Sequence, residues 1–180
     1  EADYLVEQGF TNITLIDIAP LLIEKLKKRF EGHDEVHILL GDFFQHQGAY
    51  DLILEQTFFC ALPPEKRTHY VAKMHELLSD HGRLAGLLFN RAFEGGPPFG
   101  GNLEEYSPLF RGAFRVHHME PCVHSALPRA GTELFLELEK NGDCVIERYF
   151  TKGVTSLDSA QTLIERFIRL PEVLSAVMNR

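Results

Sequence analysis

Residues 50–67 read YDLILEQTFFCALPPEKR, and the fold turns on how this stretch is interpreted. Leu52, Ile53 and Leu54 form a short apolar run entered through Tyr50 and Asp51, the pattern of a buried parallel strand. Pro63 and Pro64 then open a polar, helix-forming segment, since proline presets the backbone of a first helical turn. The residues between them are therefore expected at the carboxyl edge of a sheet, where open α/β sheets bind their ligands. They are Glu55, Gln56, Thr57, the aromatic pair Phe58 and Phe59, and Cys60. A single aromatic in such a loop more often plugs the core than lines a pocket, so the neighbouring strands must carry the rest of the argument.

At 180 residues the chain suits one domain, with or without a small appendage. Its formal net charge of -8 argues against nucleic acid or an anionic membrane as partner, because both reward clustered Lys and Arg. The basic cluster at 25–29 reads as a solvated helix face. Cys60, Cys122 and Cys144 are far apart and form no CxxC pair, which fits a reducing compartment, the cytoplasm by default. The nine histidines lack zinc-ligand spacing. His117 and His118, adjacent in an expected strand, should point to opposite faces, so no metal site is expected. No apolar run is long enough to cross a bilayer, and no signal peptide is expected. Glu1 already lies in a helical pattern, so further residues are expected upstream.

Ala2, Leu5 and Val6 recur at helical spacing up to Gly9, which can take a left-handed cap. Residues 13–18, ITLIDI, read as a buried strand whose end carries Asp17; a carboxylate there can accept hydrogen bonds from a ribose, or serve only as solvated punctuation. Pro20 starts a helix with Leu22, Ile23, Leu26 and Phe30 on one face, ending near Gly32. Residues 36–40 form the next strand, followed by Gly41, Asp42, Phe43 and Phe44. That turn can set a carboxylate and a ring against a purine, or simply be capped by Asp42. The link from Leu40 to Leu52 is too short for a long crossover helix.

Tyr70, Val71, Met74, Leu77 and Leu78 mark a buried helix face, and Asp80, His81 and Gly82 turn the chain into a strand over 83–89. Residues 90–102, NRAFEGGPPFGGN, read as a loop covering a pocket or as a linker. A short helix over 103–110 follows, then strands over 114–119 and 131–139, which are expected to form an antiparallel hairpin at the sheet edge. Helices between most strands imply a three-layer, largely parallel α/β sheet.

Taken together, ITLIDI, LLGDFF around Asp42, YDLILEQTFFCALPP, GPPF at 96–99 and the closing strands resemble a class I S-adenosylmethionine-dependent methyltransferase. More narrowly they are similar to the thiopurine and halide/thiol methyltransferase family, over residues 1–140. The resemblance implies a Rossmann-like sandwich whose last strand is antiparallel. It implies S-adenosyl-L-methionine as cofactor, with Asp17 on its ribose, Asp42 and Phe43 on its adenine and Gln56 facing the reaction. Phe58 and Phe59 would wall the acceptor pocket, and Arg67 would lie near cofactor and substrate. The family's first strand and glycine-rich loop have no counterpart in these residues and are expected immediately before Glu1.

The chemistry that this implies is methyl transfer to a small soft nucleophile: a thiol, a thiopurine or a halide. A sulfonium already carries an activated methyl group, so alignment and exclusion of water matter more than general-base catalysis. No Ser-His-Asp set and no other catalytic side chain is identified. The alternatives are a small-molecule O- or N-methyltransferase, or a degenerate binding module on the same scaffold. Residues 141–180 read as a βαβ appendage resembling half of a heavy-metal-associated, ferredoxin-like domain. Ser156 and Ser159 stand where that loop carries cysteines, so metal binding is expected to be lost. The appendage would complete its sheet with further chain or by self-association.

Overall fold

The computed structural model describes residues 1–141, in two units, one of Glu1–Gln47 and one from Gly48 onward. In the first unit, Ile13–Asp17 (β1) and Val36–Leu40 (β2) pair in parallel, from Ile13 against Val36 to Asp17 against Leu40. Between them runs Pro20–Arg29 (α2), with proline at its first turn and Lys27, Lys28 and Arg29 complementing the negative end of its dipole. Ala2–Glu7 (α1) precedes β1, and Gly9 takes a φ of 83° where the chain leaves it, as expected. Ile13, Phe30 and Val36 form the buried core of this unit, with Leu5, Val6, Leu26 and Ile38 packed around them.

The second unit holds a four-stranded sheet in the order β3-β4-β6-β5: Tyr50–Gln56 (β3), Leu78–Phe89 (β4), Glu133–Lys140 (β6) and Phe114–Pro121 (β5). β3 and β4 are parallel, while β6 runs antiparallel to both of its neighbours. The closing hairpin is thus present, but its last strand is inserted between β4 and β5, leaving β5 at the edge. The turn expected at 80–82 is absorbed into β4 as an irregularity, with His81 at a φ of 63°. Arg67–Leu77 (α3) follows the strand-end segment as predicted and buries Tyr70, Val71, Met74 and Leu77. Leu103–Arg111 (α4) is capped by the Asn102 side chain, which accepts from Glu105 N at 2.9 Å. Phe59, Tyr70, Tyr106, Phe110 and Phe114 make the aromatic part of the core.

Leu134, Leu136 and Leu138 of β6 are buried on one face, and Glu133, Glu137 and Glu139 alternate onto the other. There Glu137 pairs with Arg83, and Glu139 accepts from His117 Nε2 at 2.6 Å and His81 Nδ1 at 3.3 Å. This corrects the expectation for the two adjacent histidines. A bulge between Val116 and His118 lets both rings meet carboxylates on one face of β6, with His118 Nε2 4.0 Å from Glu137.

Burial raises the pKa of Glu139, but the hydrogen bonds from His117 and His81 and the charge of Arg83 outweigh it, leaving the carboxyl below its ordinary 4.5. A depressed carboxylate contributes stability that is present above the unfolded value and lost as pH falls through the folded one. Urea midpoints should therefore fall as pH drops below about 4.5, and Glu139→Gln should flatten that acid limb. An acid limb of the same steepness in the variant would remove Glu139 from the account.

The βαβ unit expected over residues 144–178 lies outside the described residues. Among the described residues no helix is long and apolar enough to cross a membrane.

Candidate functional site

In the first unit the register of β1 and β2 brings two carboxylates to one edge. Asp17 ends β1 opposite Leu40, Gly41 N donates to Asp17 O at 3.0 Å, and Asp42 follows directly. Each carboxylate also orders its own turn: Asp17 Oδ1 accepts from Ala19 N at 2.7 Å, and Asp42 Oδ1 from Phe44 N at 2.9 Å. The capping role foreseen for Asp42 is therefore real, and it fixes the carboxylate at the strand end. Phe43 and Phe44 pack edge to face, with ring centroids 5.2 Å apart, in the single 3-10 turn that follows. Ile18, Leu21 and Leu40 beside this edge are 72%, 71% and 58% exposed. Two acceptors for hydroxyl or amine hydrogens next to accessible apolar side chains match the needs of a nucleoside, so these residues fit an adenosyl group.

In the second unit the end of β3 carries the other sequence candidates. Gln56 is half-buried and pairs with Leu87 of β4. Thr57 follows with a φ of 64°, and its hydroxyl donates to Gln56 O at 2.6 Å. Phe58 is half-buried, whereas Phe59 is 1% exposed and stacked edge to face on Tyr70 and Tyr106. Of the two aromatics, Phe59 thus takes the core position that single aromatics usually take.

Arg67, at the start of α3, is also buried. Its guanidinium lies over the Phe59 and Tyr106 rings, at 5.1 and 5.4 Å from their centroids. It forms an ion pair with Glu105 and donates from Nη2 to Gly100 O at 2.7 Å. Arg67 therefore ties α3 to α4 and to the loop over 90–102. That loop is fastened a second time where Phe99 N donates to Cys60 O at 2.6 Å. The sequence had suggested a covering loop, and these contacts make it a strap laid on the turn after β3.

Sequence reasoning passed over Glu55 and Tyr70 as functional residues. Glu55 is 2% exposed and hydrogen-bonded by its carboxylate to the turn that follows it. An ionisable residue placed directly after the apolar run of Leu52, Ile53 and Leu54 was the available signal.

Residues 5–139 match the family described as Thiopurine S-methyltransferase (TPMT). A thiopurine S-methyltransferase of Vibrio parahaemolyticus is 38% identical over 82 residues, covering 44% of this chain and 38% of that protein. A probable thiol methyltransferase 2 of Arabidopsis thaliana is 34% identical over 128 residues, covering 66% of this chain and 55% of its own length. The chain thus spans about half or less of the curated relatives it matches. Among solved structures, a Burkholderia thailandensis 1,6-didemethyltoxoflavin-N1-methyltransferase with bound S-adenosylhomocysteine superposes with a TM-score of 0.59 at 21% identity. That match covers 77% of this chain and 65% of the other. TehB from Haemophilus influenzae gives a TM-score of 0.62 at 16% identity, covering 78% and 53%. At these identities the likeness establishes a Rossmann-like α/β methyltransferase fold.

Proposed function

Because the chain belongs to the thiopurine S-methyltransferase family, we propose that it takes part in methyl transfer from S-adenosyl-L-methionine to a small soft nucleophile such as a thiol, a thiopurine or a halide. The observation that carries this reading is the pair of strand-end carboxylates, Asp17 and Asp42, at one edge of β1 and β2. When bound, S-adenosyl-L-methionine supplies an electrophilic methyl group on a sulfonium. Asp17 would accept the ribose hydroxyls, and Asp42 with Phe43 would hold the adenine. Gln56 would face the reacting side, with Phe58 on the acceptor and Phe59 and Arg67 shaping the wall behind it. A soft nucleophile fits because Glu55 has both carboxylate oxygens engaged by protein donors, so the turn offers no base aimed outward. The names of the relatives, thiopurine and thiol methyltransferases, support the same acceptor class. A cytoplasmic location, with no nucleic-acid partner, follows the charge and cysteine pattern. Residues 141–180 are read as an association appendage without metal.

The test uses the full-length protein. Calorimetry should detect S-adenosyl-L-methionine binding, and Asp17→Ala should weaken it by about 1–3 kcal/mol through lost charge-assisted hydrogen bonds. Incubation with a labelled methyl donor should then modify thiols or iodide from a mixed panel. Methylation of phenols alone would overturn the acceptor, and no binding heat would overturn the whole reading.

A further inference from the structure

Glu55 is a glutamate that follows the apolar run of β3, 2% exposed, beneath the turn that leads to α3. Its carboxylate is bonded on both oxygens. Oε1 accepts from the backbone N–H of Phe58 at 3.0 Å and of Phe59 at 2.9 Å, and Oε2 accepts from the Tyr70 hydroxyl at 2.6 Å. Those bonds span a residue in an unusual conformation. Thr57 sits at a φ of 64°, a region that β-branched residues rarely enter and that persists only where the surroundings over-determine it. The same turn is closed by Cys60, whose thiol donates to Thr57 O at 3.1 Å and whose carbonyl holds the strap at Phe99.

We propose that Glu55 is a positioning residue: from inside the fold its carboxylate holds residues 57–60 in the shape that presents Gln56 and Phe58 to the methyl acceptor. This inference rests on the methyltransferase reading above. The rival role, a general base, is disfavoured by geometry, since both oxygens already serve protein donors and the side chain has almost no exposed surface. Burial raises the Glu55 pKa against the pull of the two amides and Tyr70. Burial, together with the Glu55 charge, also pushes the Cys60 thiol up to about 11. In the intact turn Cys60 is therefore protonated, buried and slow to alkylate, which makes it a reporter of the turn itself.

The experiment compares wild type, Glu55→Ala, Glu55→Gln and Tyr70→Phe in the full-length protein. Iodoacetamide labelling of Cys60 under native conditions is read by peptide mass spectrometry, beside acceptor kinetics and cofactor calorimetry. Glu55→Ala leaves three donors without their acceptor, so Cys60 labelling should accelerate and acceptor kcat/KM should fall, each by about tenfold or more. The cofactor dissociation constant should change less than acceptor kcat/KM, because Asp17, Asp42 and Phe43, the residues read as holding the adenosyl group, are not part of this turn. Glu55→Gln should recover most of both losses, since its amide oxygen can still accept from the two N–H groups. Unchanged labelling in Glu55→Ala, or a glutamine variant as impaired as the alanine one, would overturn the proposal. Should Glu55→Ala fail to fold, Tyr70→Phe carries the test: removing one donor should quicken labelling about threefold, and no change there would count against the proposal. Wild-type protein that binds no S-adenosyl-L-methionine would refute the methyltransferase reading, while the labelling arm would still decide whether Glu55 holds the turn.

Discussion

Arg83→Met is expected to destabilise the protein by about 3–5 kcal/mol, with the urea midpoint falling accordingly. Arg83 and Glu137 are 7% and 2% exposed and form an ion pair on the face of β6 opposite its leucines. Methionine keeps much of the arginine stem's length, so packing is largely retained and the loss isolates the charge. What remains is a glutamate carboxylate removed from water, with His118 Nε2 4.0 Å away, whereas Glu139, Arg83's second contact at 3.9 Å, keeps its bonds from His117 and His81. Desolvation of one such unpaired ion costs several kcal/mol, whereas a buried pair replaced whole by apolar groups often costs nothing. The double variant Arg83→Met with Glu137→Leu should therefore regain most of the stability that Arg83→Met loses. If the single variant lost under about 1 kcal/mol, the pair would behave like an exposed one and the burial argument would fail.

The contrast between that pair and what the sequence disclosed is instructive about which information is local. Strand β6 was legible because Leu134, Leu136 and Leu138 alternate with Glu133, Glu137 and Glu139, a period of two that needs no tertiary partner to be seen. Helix α2 was legible from Pro20 and its apolar stripe, and α3 from the proline pair before it. The strand-end carboxylates Asp17 and Asp42 were legible because they follow apolar runs directly. The insertion of β6 between β4 and β5 was not, because element order says that two strands close the chain but not which of them pairs with β4. The bulge that turns His117 and His118 to one face was hidden for the same reason, being a property of the pairing and not of the residues.

The turn after β3 shows a third kind of limit. Phe58 and Phe59 are equivalent by type and both meet the Tyr70 ring, and their different fates depend on Tyr106 and Phe110, which reach Phe59 from the later helix α4. Arg67 read as a residue near ligand, and the structure gives it an ion pair with Glu105 and a bond to Gly100, both far along the chain. Thr57 gives no sign of a positive φ, since β-branched side chains disfavour it. Polar residues next to a candidate site are ambiguous for this reason: the chemistry of the side chain is visible, but not the direction from which its partners come.

Gly86→Ala should be among the most disruptive single-methyl changes in the second unit, at about 3 kcal/mol. Gly86 is paired in register with Glu55 across the parallel β3 and β4 strands, and a Cβ built on it would lie 2.0 Å from Glu55 O and 2.6 Å from Glu55 Cβ. Real Cβ atoms do not come that close to a backbone oxygen, and the oxygen cannot swing aside as a side-chain tip could. Relief requires the strands to part where β4 is also bonded to β6, so the ladder on both sides is strained. The displacement would fall on Glu55 itself, so the damage should extend beyond stability: Cys60 should label faster, as in Glu55→Ala, although no side-chain hydrogen bond has been deleted. Gly112→Ala is the matched control, because a Cβ there meets nothing nearer than Pro108 O at 4.0 Å and its φ of -69° is open to any residue. Equal urea midpoints for the two alanine variants would mean that β3 and β4 are not held as closely as the register requires, and Glu55 would lose the rigid strand end from which it is argued to act.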